Sequence, residues 1–282
     1  MTEELVRFLE AQGADIVGTS DVREVLPGRF AALPFAVTIG VRLSDAVLSE
    51  ISGGPTKLYF AHYRAANALL DMIAMRCVGW LQRKRYNALA IPASQTTNEA
   101  GIAGDFPHKT AANLAGLGFI GKNALLISRE FGPRVRLATV LTDMPLPAGT
   151  MQPVLCGSCR ACADACPCGA ITGRMWSADT AREDIVDAAL CSQHMKKAYQ
   201  HIGRGAVCGV CIAVCPWGEA RGIKQRCAVR KESKIKPDKN KKPAVTPPDY
   251  WKESAFWEGK RAILVEVGTA ALPAHPGSDD DA

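Results

Sequence analysis

Three segments of the chain repeat apolar or small residues at helical spacing. Residues 2–12 place Leu5, Phe8 and Leu9 on one face, and a longer helical period covers residues 59–85. A helix of small residues is predicted over 108–115, directly before a glycine-rich loop at 116–121. The pattern therefore predicts at least three helices in the first half of the chain.

Short runs rich in apolar and β-branched residues lie between these helices and predict strands. They cover residues 14–18, 35–43, 87–93, 125–128 and 135–141. Strands and helices that alternate in this way over residues 1–148 are typical of a mixed domain, in the fold class α/β (α+β).

The pattern changes after residue 148, where prolines mark a boundary. A second domain, rich in cysteine, is predicted over residues 149–227. Residues 228–282 contain a stretch rich in lysine and proline that reads as a linker or surface strap. An apolar segment that can dock and an acidic, disordered tail follow it.

No stretch approaches 18 uncharged apolar residues, so no transmembrane helix is expected. The acidic N-terminus has neither the basic region nor the twin arginine of an export signal, which favours a cytoplasmic protein. Eleven cysteines in a reducing compartment indicate metal binding or catalysis rather than disulfides.

Four cysteines form a C-x2-C-x2-C-x3-C-P run, as in bacterial ferredoxins: Cys156, Cys159, Cys162 and Cys166. In such runs three cysteines hold one [4Fe-4S] cluster and the fourth serves a second cluster. A second, shorter run contains Cys208, Cys211 and Cys215, with Gly205 where a further ligand is expected.

The spacing predicts two clusters with crossed ligand sets. Cys215 completes the first set, of Cys156, Cys159 and Cys162. The second set combines Cys208 and Cys211 with Cys166, and its missing ligand is assigned to Cys191. Cys168 is too close in sequence to Cys166 to be an easy co-ligand, and Cys227 lies beyond the second run.

Zinc is the alternative metal for these cysteines. Zinc sites are usually self-contained sets of four ligands, and a proline after the last cysteine is not part of their pattern. The crossed runs therefore favour iron–sulfur clusters, which carry electrons when every iron has a cysteine ligand.

The formal net charge of +6 and the lysines between residues 231 and 242 invite a nucleic-acid interpretation. Two tetrathiolate clusters offset about four of these positive charges. The lysine stretch has no interleaved aromatic residues, which favours a solvated linker.

The glycine-rich loop, with Gly116, Gly118 and Gly121 followed by Lys122 and Asn123, resembles two nucleotide-binding motifs. Both motifs require a strand before the glycines and a helix after them, and here the predicted order is reversed. The P-loop also needs Ser or Thr where Asn123 stands. The glycines fit close backbone approach to another large ligand, or a tight turn.

The run GLGFIGKNALLISREFGPRVRLATVLTDMPLP at 116–147, followed by both cysteine runs, resembles the epoxyqueuosine reductases and the reductive dehalogenases. The resemblance covers about residues 55–218. It implies a nitroreductase-like domain at residues 1–148 that binds base-off cobalamin, and a ferredoxin-like domain whose clusters reduce it. The sequence has no D-x-H-x-x-G motif for a cobalt-binding histidine, in keeping with that binding mode.

The resemblance also implies a proton donor upstream of the glycine loop. Asp105 is the nearest candidate, and His108 or Lys109 can take its place. Asp105 and His108 are equally compatible with a helix cap. The cofactor-binding residues predicted from the resemblance are Lys109, Gly116, Gly118, Gly121, Lys122, Asn123, Arg134 and Arg136.

Two other functions remain open from the sequence. One is an electron-transfer protein that reactivates the corrinoid of a partner methyltransferase, and the other is an RNA-binding module with structural clusters. The expected partner of an enzyme is a small electron donor of the ferredoxin or flavodoxin type. The substrate is unknown, with tRNA among the candidates, and no membrane is expected as a partner.

Overall fold

The computed structural model describes residues 1–94 and 102–218, which lie in one compact unit, Met1–Cys227. The lysine-rich strap, the docking segment and the acidic tail predicted for residues 228–282 lie outside the described residues. The division between two domains at residue 148 stays a prediction.

Four strands form an antiparallel sheet in the order β1-β2-β6-β3. Two more strands, β4 and β5, form a separate antiparallel hairpin. The strands are β1 Ile16–Asp21, β2 Phe35–Arg42, β3 Ala88–Ile91, β4 Gly118–Ile120, β5 Leu126–Ser128 and β6 Val135–Thr142. The antiparallel pairing makes this an α+β arrangement, and the predicted mixed fold class is confirmed.

Seven α-helices are described, and the three predicted from helical spacing are among them. The helices are α1 Thr2–Ala11, α2 Asp45–Ser49, α3 Lys57–Arg83, α4 His108–Leu114, α5 Ala161–Asp164, α6 Ala188–Gly203 and α7 Val210–Ala213. Short 3₁₀ turns cover Arg23–Val25, Gly28–Phe30, Arg182–Asp184 and Pro216–Gly218. No described helix is long and apolar enough to cross a membrane.

Alternate residues of β2 and β6 point to opposite sides of the sheet, and helices pack against both sides. On one face Val37 and Ile39 join Leu5 of α1 and Leu70 of α3 in the main core. On the other face Ala36 and Leu141 pack with Ala111 of α4 in a smaller cluster of buried residues. Helix α4, which carries several predicted site residues, is therefore anchored against the centre of the sheet.

The predicted glycine-rich loop is partly wrong, because Gly118–Ile120 forms strand β4. A Cβ atom added to Gly118 would lie 2.1 Å from the carbonyl oxygen of Ile127, so only glycine allows this close pairing. Gly116 supplies the left-handed turn before the strand, with a φ of +73°. The glycines therefore build a β-hairpin that follows α4.

Helix α6 is an element that the sequence interpretation missed. The side chain of Asp187 accepts a hydrogen bond from the amide of Leu190, which caps the first turn of this helix. The cap was visible in the sequence, but no strong apolar stripe follows it. The helix matters because it carries Cys191.

Candidate functional site

The first group of cysteines lines a small cavity. Its cysteines come from both ends of the cysteine-rich segment: Cys156, Cys159, Cys162 and Cys215. Lys122, Asn123 and Trp217 complete the wall, and the indole of Trp217 meets the ring of Phe119 edge to face. The structure therefore brings together the four cysteines that spacing predicted as one ligand set.

Lys122 lies beneath the loop that carries the first cysteines. It is buried, and its Nζ donates to the carbonyl oxygens of Gly157 at 2.7 Å and Cys159 at 3.0 Å. These two bonds tie the β4–β5 hairpin to the cysteine loop. Lys122 was expected to bind a corrinoid, and it lies instead at the first cysteine cavity.

The second cysteine cavity has a volume of about 340 Å³. Five cysteines line it: Cys166, Cys168, Cys191, Cys208 and Cys211. Helix α6 supplies Cys191, the predicted eighth ligand, and the start of α7 supplies Cys211. Cys168, which sequence reasoning set aside as a co-ligand, is also present, with its Sγ 3.9 Å from that of Cys166.

Burial makes three of these thiols, those of Cys191, Cys211 and Cys215, reluctant to ionise in the absence of a cation. It raises the pKa of Cys191 to about 11, helped by the nearby cysteines, and the pKa of Cys215 likewise to about 11. The pKa of Cys211 is raised further, again mainly by burial. Metal ligation requires thiolates, so these cavities fit a bound centre whose positive irons favour the deprotonated form.

The number of thiols in each cavity matches the needs of a cluster. Four cysteines line the first cavity, and five line the second. A [4Fe-4S] cube takes one thiolate on each of its four irons. The residues of both cavities therefore fit the predicted clusters.

A larger cavity of about 680 Å³ lies between β6, α4 and the β5 strand. Its wall is apolar at Ile91, Phe106, Leu126 and Leu137, and its polar groups come from a small set of residues. These are Tyr63, Ser94, Asp105, His108, Lys109, Arg136 and Arg182. The cavity is large enough for a sizeable ligand with an apolar surface and a polar rim.

The large cavity and the second cysteine cavity share part of their walls. Ile102, Lys109, Leu125 and Arg182 line both. Nζ of Lys109 donates to the carbonyl oxygen of Ala124, and a guanidinium nitrogen of Arg182 donates to the carbonyl oxygen of Ile102 at 3.0 Å. Two cationic side chains therefore stand at the boundary between the cavities.

Burial, together with the positive charge of Arg182, lowers the pKa of Lys109 to about 8. A lysine with such a pKa exchanges its proton readily near neutral pH. Lys109 is therefore able to transfer a proton at this boundary.

Both ring nitrogens of His108 are bonded to the protein. Nε2 lies 3.1 Å from the carbonyl oxygen of Pro92, and Nδ1 lies 2.9 Å from the hydroxyl of Thr139. Because a carbonyl can only accept, Nε2 carries the proton and Nδ1 accepts from the hydroxyl. His108 therefore has no lone pair left for a metal.

Burial lowers the pKa of His108 to about 4, against a smaller opposing effect of the Pro92 carbonyl. The imidazole is then neutral near pH 7 and holds its one proton in the bond to Pro92. This geometry suits the positioning of α4 on β6 and does not favour the predicted role of His108 as an acid.

Asp105 lies on the wall of the large cavity and forms an ion pair with Arg29. Arg29 comes from the 3₁₀ turn Gly28–Phe30, and its guanidinium packs over the ring of Phe30. Sequence reasoning missed Arg29 because nothing in the pattern links residue 29 to residue 105. The pair holds a carboxylate at the cavity.

The two predicted arginines differ in their placement. Arg136 lines the large cavity, where it bonds to Asn67 and to the hydroxyl of Tyr63. Arg134 does not line it and instead pairs with Asp45 at 2.8 Å. Only Arg136 is therefore in a position to meet a ligand there.

The remaining predicted cofactor residues lie away from the large cavity. Asn123 lines both cysteine cavities, and its side-chain amide donates to the carbonyl oxygen of Cys211 at 3.3 Å. Gly116, Gly118 and Gly121 do not line the large cavity and contact other parts of the protein. These residues support the hairpin and the cysteine loops, and a direct contact with a corrinoid stays a prediction.

Residues 155–218 match the family model of the 4Fe-4S double cluster binding domain. An epoxyqueuosine reductase from Pseudomonas aeruginosa is 27% identical over 209 residues, which cover 69% of this chain and 53% of the relative. A tetrachloroethene reductive dehalogenase from Desulfitobacterium hafniense is 36% identical over 121 residues, or 37% of this chain and 21% of that protein. The chain thus spans about half the length of the first of these relatives.

Solved structures show the same relationship at the level of the fold. A reductive dehalogenase, described as suggesting a mechanism for B12-dependent dehalogenation, superimposes with a TM-score of 0.59 and 21% identity over 76% of this chain and 32% of that one. A selenomethionine-labelled epoxyqueuosine reductase superimposes with a TM-score of 0.54 and 19% identity, over 77% of this chain and 65% of that one. The predicted resemblance is confirmed: this chain is similar to epoxyqueuosine reductases and reductive dehalogenases, and its residues 155–218 match a 4Fe-4S double cluster binding domain.

Proposed function

We propose that this chain is a corrinoid-dependent iron–sulfur oxidoreductase of the epoxyqueuosine reductase type. Its cysteines would hold two [4Fe-4S] clusters that supply electrons, and its large cavity would hold a base-off cobalamin that supplies the reducing cobalt for a substrate still to be identified. The observation that carries the proposal is the shared wall between the second cysteine cavity and the large cavity. Electron transfer requires redox centres that are close together, and this wall brings the two sites into contact.

The cysteines around each cavity supply the ligands of the clusters. Cys156, Cys159, Cys162 and Cys215 hold the first cluster. Cys166, Cys191, Cys208 and Cys211 hold the second, which lies beside the large cavity. Lys122 and Asn123 hold the cysteine loops in place through their backbone carbonyls.

The large cavity would hold the corrinoid. Its apolar wall suits the face of a macrocycle, and Arg136 and Tyr63 offer polar groups to the amide side chains at its edge. The fully bonded ring of His108 leaves no histidine ligand for cobalt among the described residues of the wall, in keeping with base-off binding. When bound, the corrinoid supplies a low-valent cobalt for reduction of the substrate.

Asp105 and Lys109 are the residues of the cavity suited to move a proton during the reduction. Lys109 lies at the boundary with the second cluster, so its ammonium also offsets negative charge that arrives with each electron. Asp105, the predicted donor to the substrate, is held by Arg29 on the same cavity wall as a carboxylate, so it would take up a proton before it could supply one. Neutral His108 fixes α4, which carries Lys109, against the sheet.

The first cluster is the entry point for electrons. Cys159 is exposed, and the neighbouring side chains of Leu155 and Met151 are also largely exposed. A small donor of the ferredoxin or flavodoxin type can approach a cluster at such a surface. We expect this exchange to take place in the cytoplasm.

The test is anaerobic reconstitution with iron and sulfide, followed by cobalamin and gel filtration. We expect the holoprotein to retain one corrinoid with a base-off absorption spectrum. Arg136→Ala should weaken retention at least tenfold, because it removes a cavity-lining donor. Arg134→Ala is the matched control, since this arginine comes from the same region but pairs with Asp45 outside the cavity.

A chain that carries both clusters but never retains corrinoid contradicts the proposal. Such a result would instead favour an electron-transfer protein. Equal loss of corrinoid in the two arginine variants would show that the large cavity is not the binding site.

A further inference from the structure

The second cysteine cavity contains one thiol more than a cluster requires. A [4Fe-4S] cube takes four terminal ligands, whereas five cysteines line this cavity. The first cavity has four. The fifth sulfur, on Cys168, comes from the same short turn as Cys166.

The two sulfurs of this turn are close enough to address one metal atom. Their separation is 3.9 Å. Two thiolates bound to one tetrahedral metal at about 2.3 Å lie about 3.8 Å apart, and thiolates on different irons of a cube lie farther apart. Cys166 and Cys168 therefore point to the same corner of the cluster.

The backbone between the two cysteines forms a tight turn. The amide of Gly169 donates to the carbonyl oxygen of Cys166 at 3.1 Å. Gly169 makes this turn possible with a φ of +66°. The turn therefore holds the sulfurs of Cys166 and Cys168 on the same side of the cavity.

We propose that Cys168 is an alternative ligand for the iron that Cys166 binds in the second cluster. The inference rests on the proposed pair of clusters. In the exchange, the bond from iron to the Cys166 sulfur breaks and a bond to the Cys168 sulfur forms. The proton of the Cys168 thiol passes to the released Cys166 thiolate, and no electron is gained or lost.

Among the cysteines that the structure describes, none stands in reserve for the other three corners. Each of these corners has one cysteine from a different element. Helix α6 supplies Cys191, the loop before α7 supplies Cys208, and α7 supplies Cys211. The expectation that Cys168 is not a separate co-ligand stays a prediction. Its sulfur replaces that of Cys166 and does not add a fifth bond.

The test compares four variants of the full chain after anaerobic reconstitution: Cys166→Ala, Cys168→Ala, the double variant and Cys208→Ala. Iron and sulfide are counted per chain, and the reduced clusters are examined by electron paramagnetic resonance. Cys208→Ala is the control for a corner without a reserve thiol. The signal of the first cluster reports whether each variant has folded.

We expect Cys166→Ala and Cys168→Ala to retain the iron content of the unchanged chain, about eight per chain for two clusters. Cys166→Ala should show an altered signal from one cluster, because a different sulfur then binds the iron. Cys208→Ala and the double variant should lose iron from the second cluster.

The inference is overturned if Cys166→Ala loses as much iron as Cys208→Ala while the unchanged chain carries both clusters. It is also overturned if the double variant keeps all its iron, or if the signal of Cys166→Ala is identical to that of the unchanged chain. An unchanged chain that never binds two clusters contradicts the proposed function instead, so the two failures can be told apart.

Discussion

Replacement of Lys122 by methionine should release the first cluster selectively. The buried ammonium bonds to the carbonyl oxygens of Gly157 and Cys159, which belong to the loop that carries the first cysteines. Methionine has a similar length but no donor. Both carbonyls then lose their partner, and the tie between the β4–β5 hairpin and the cysteine loop is gone.

The size of the effect follows from these two bonds. A hydrogen bond to a charged group contributes about 1.5 kcal/mol or more, so the loss of both costs about 3 kcal/mol of closed-loop stability. Each 1.4 kcal/mol is a factor of ten in an equilibrium. The open form of the loop should therefore become about 100-fold more populated, and iron accessible through that form should leave about 100-fold faster.

The assay is anaerobic release of iron to an excess of a coloured ferrous chelator. We expect two phases in Lys122→Met, with the irons of the first cluster lost quickly and those of the second cluster at the rate of the unchanged protein. Lys84→Met is the control, because Lys84 makes an exposed ion pair with Glu4 and a cation–π contact with Trp80, and exposed contacts of either kind contribute about 1 kcal/mol or less. Release rates that agree within threefold for Lys122→Met and Lys84→Met would refute the reasoning.

Two further predictions concern the framework of the site. Gly118→Ala should lower the free energy of unfolding by about 2 kcal/mol or more, because the new methyl group would lie 2.1 Å from the Ile127 carbonyl oxygen. Thermal unfolding measures this loss. Gly28→Ala is the control, since Gly28 has open space around it and the substitution should change the stability little. The folded pKa of His108, about 4, lies below its usual value, so its neutral form contributes stability above pH 6.5 that is progressively lost as the pH falls towards 4. His108→Asn should therefore lose less stability than the unchanged protein between pH 7 and pH 5, and parallel losses would contradict the assignment.

The elements with a strong apolar pattern could be predicted from the sequence. Helix α3 was predicted at residues 59–85 and lies at Lys57–Arg83, and strand β6 was predicted at 135–141 and lies at Val135–Thr142. These segments pack into the core, so burial acts on them in the way that the pattern assumes. Strand β4 was missed because its extended form depends on pairing with β5, which no local pattern records.

The cysteine groups were also visible in the sequence, because motif spacing constrains which sulfurs can meet. The structure brings the predicted sets around two cavities, with Cys191 arriving on a helix that was not predicted. The neighbours of Lys122 and Arg134 were not predictable. Each is determined by a contact with a residue far along the chain, Gly157 for Lys122 and Asp45 for Arg134.

We propose that the corrinoid binds in the large cavity, next to the second cysteine cavity. This placement is tested most directly by magnetic coupling between cobalt and the reduced clusters in the corrinoid-loaded chain, measured by electron paramagnetic resonance. We predict that coupling to cobalt is lost in Cys208→Ala, which removes a ligand of the second cluster, and persists in Cys156→Ala, which removes a ligand of the first. Coupling that survives Cys208→Ala but disappears in Cys156→Ala would contradict the account.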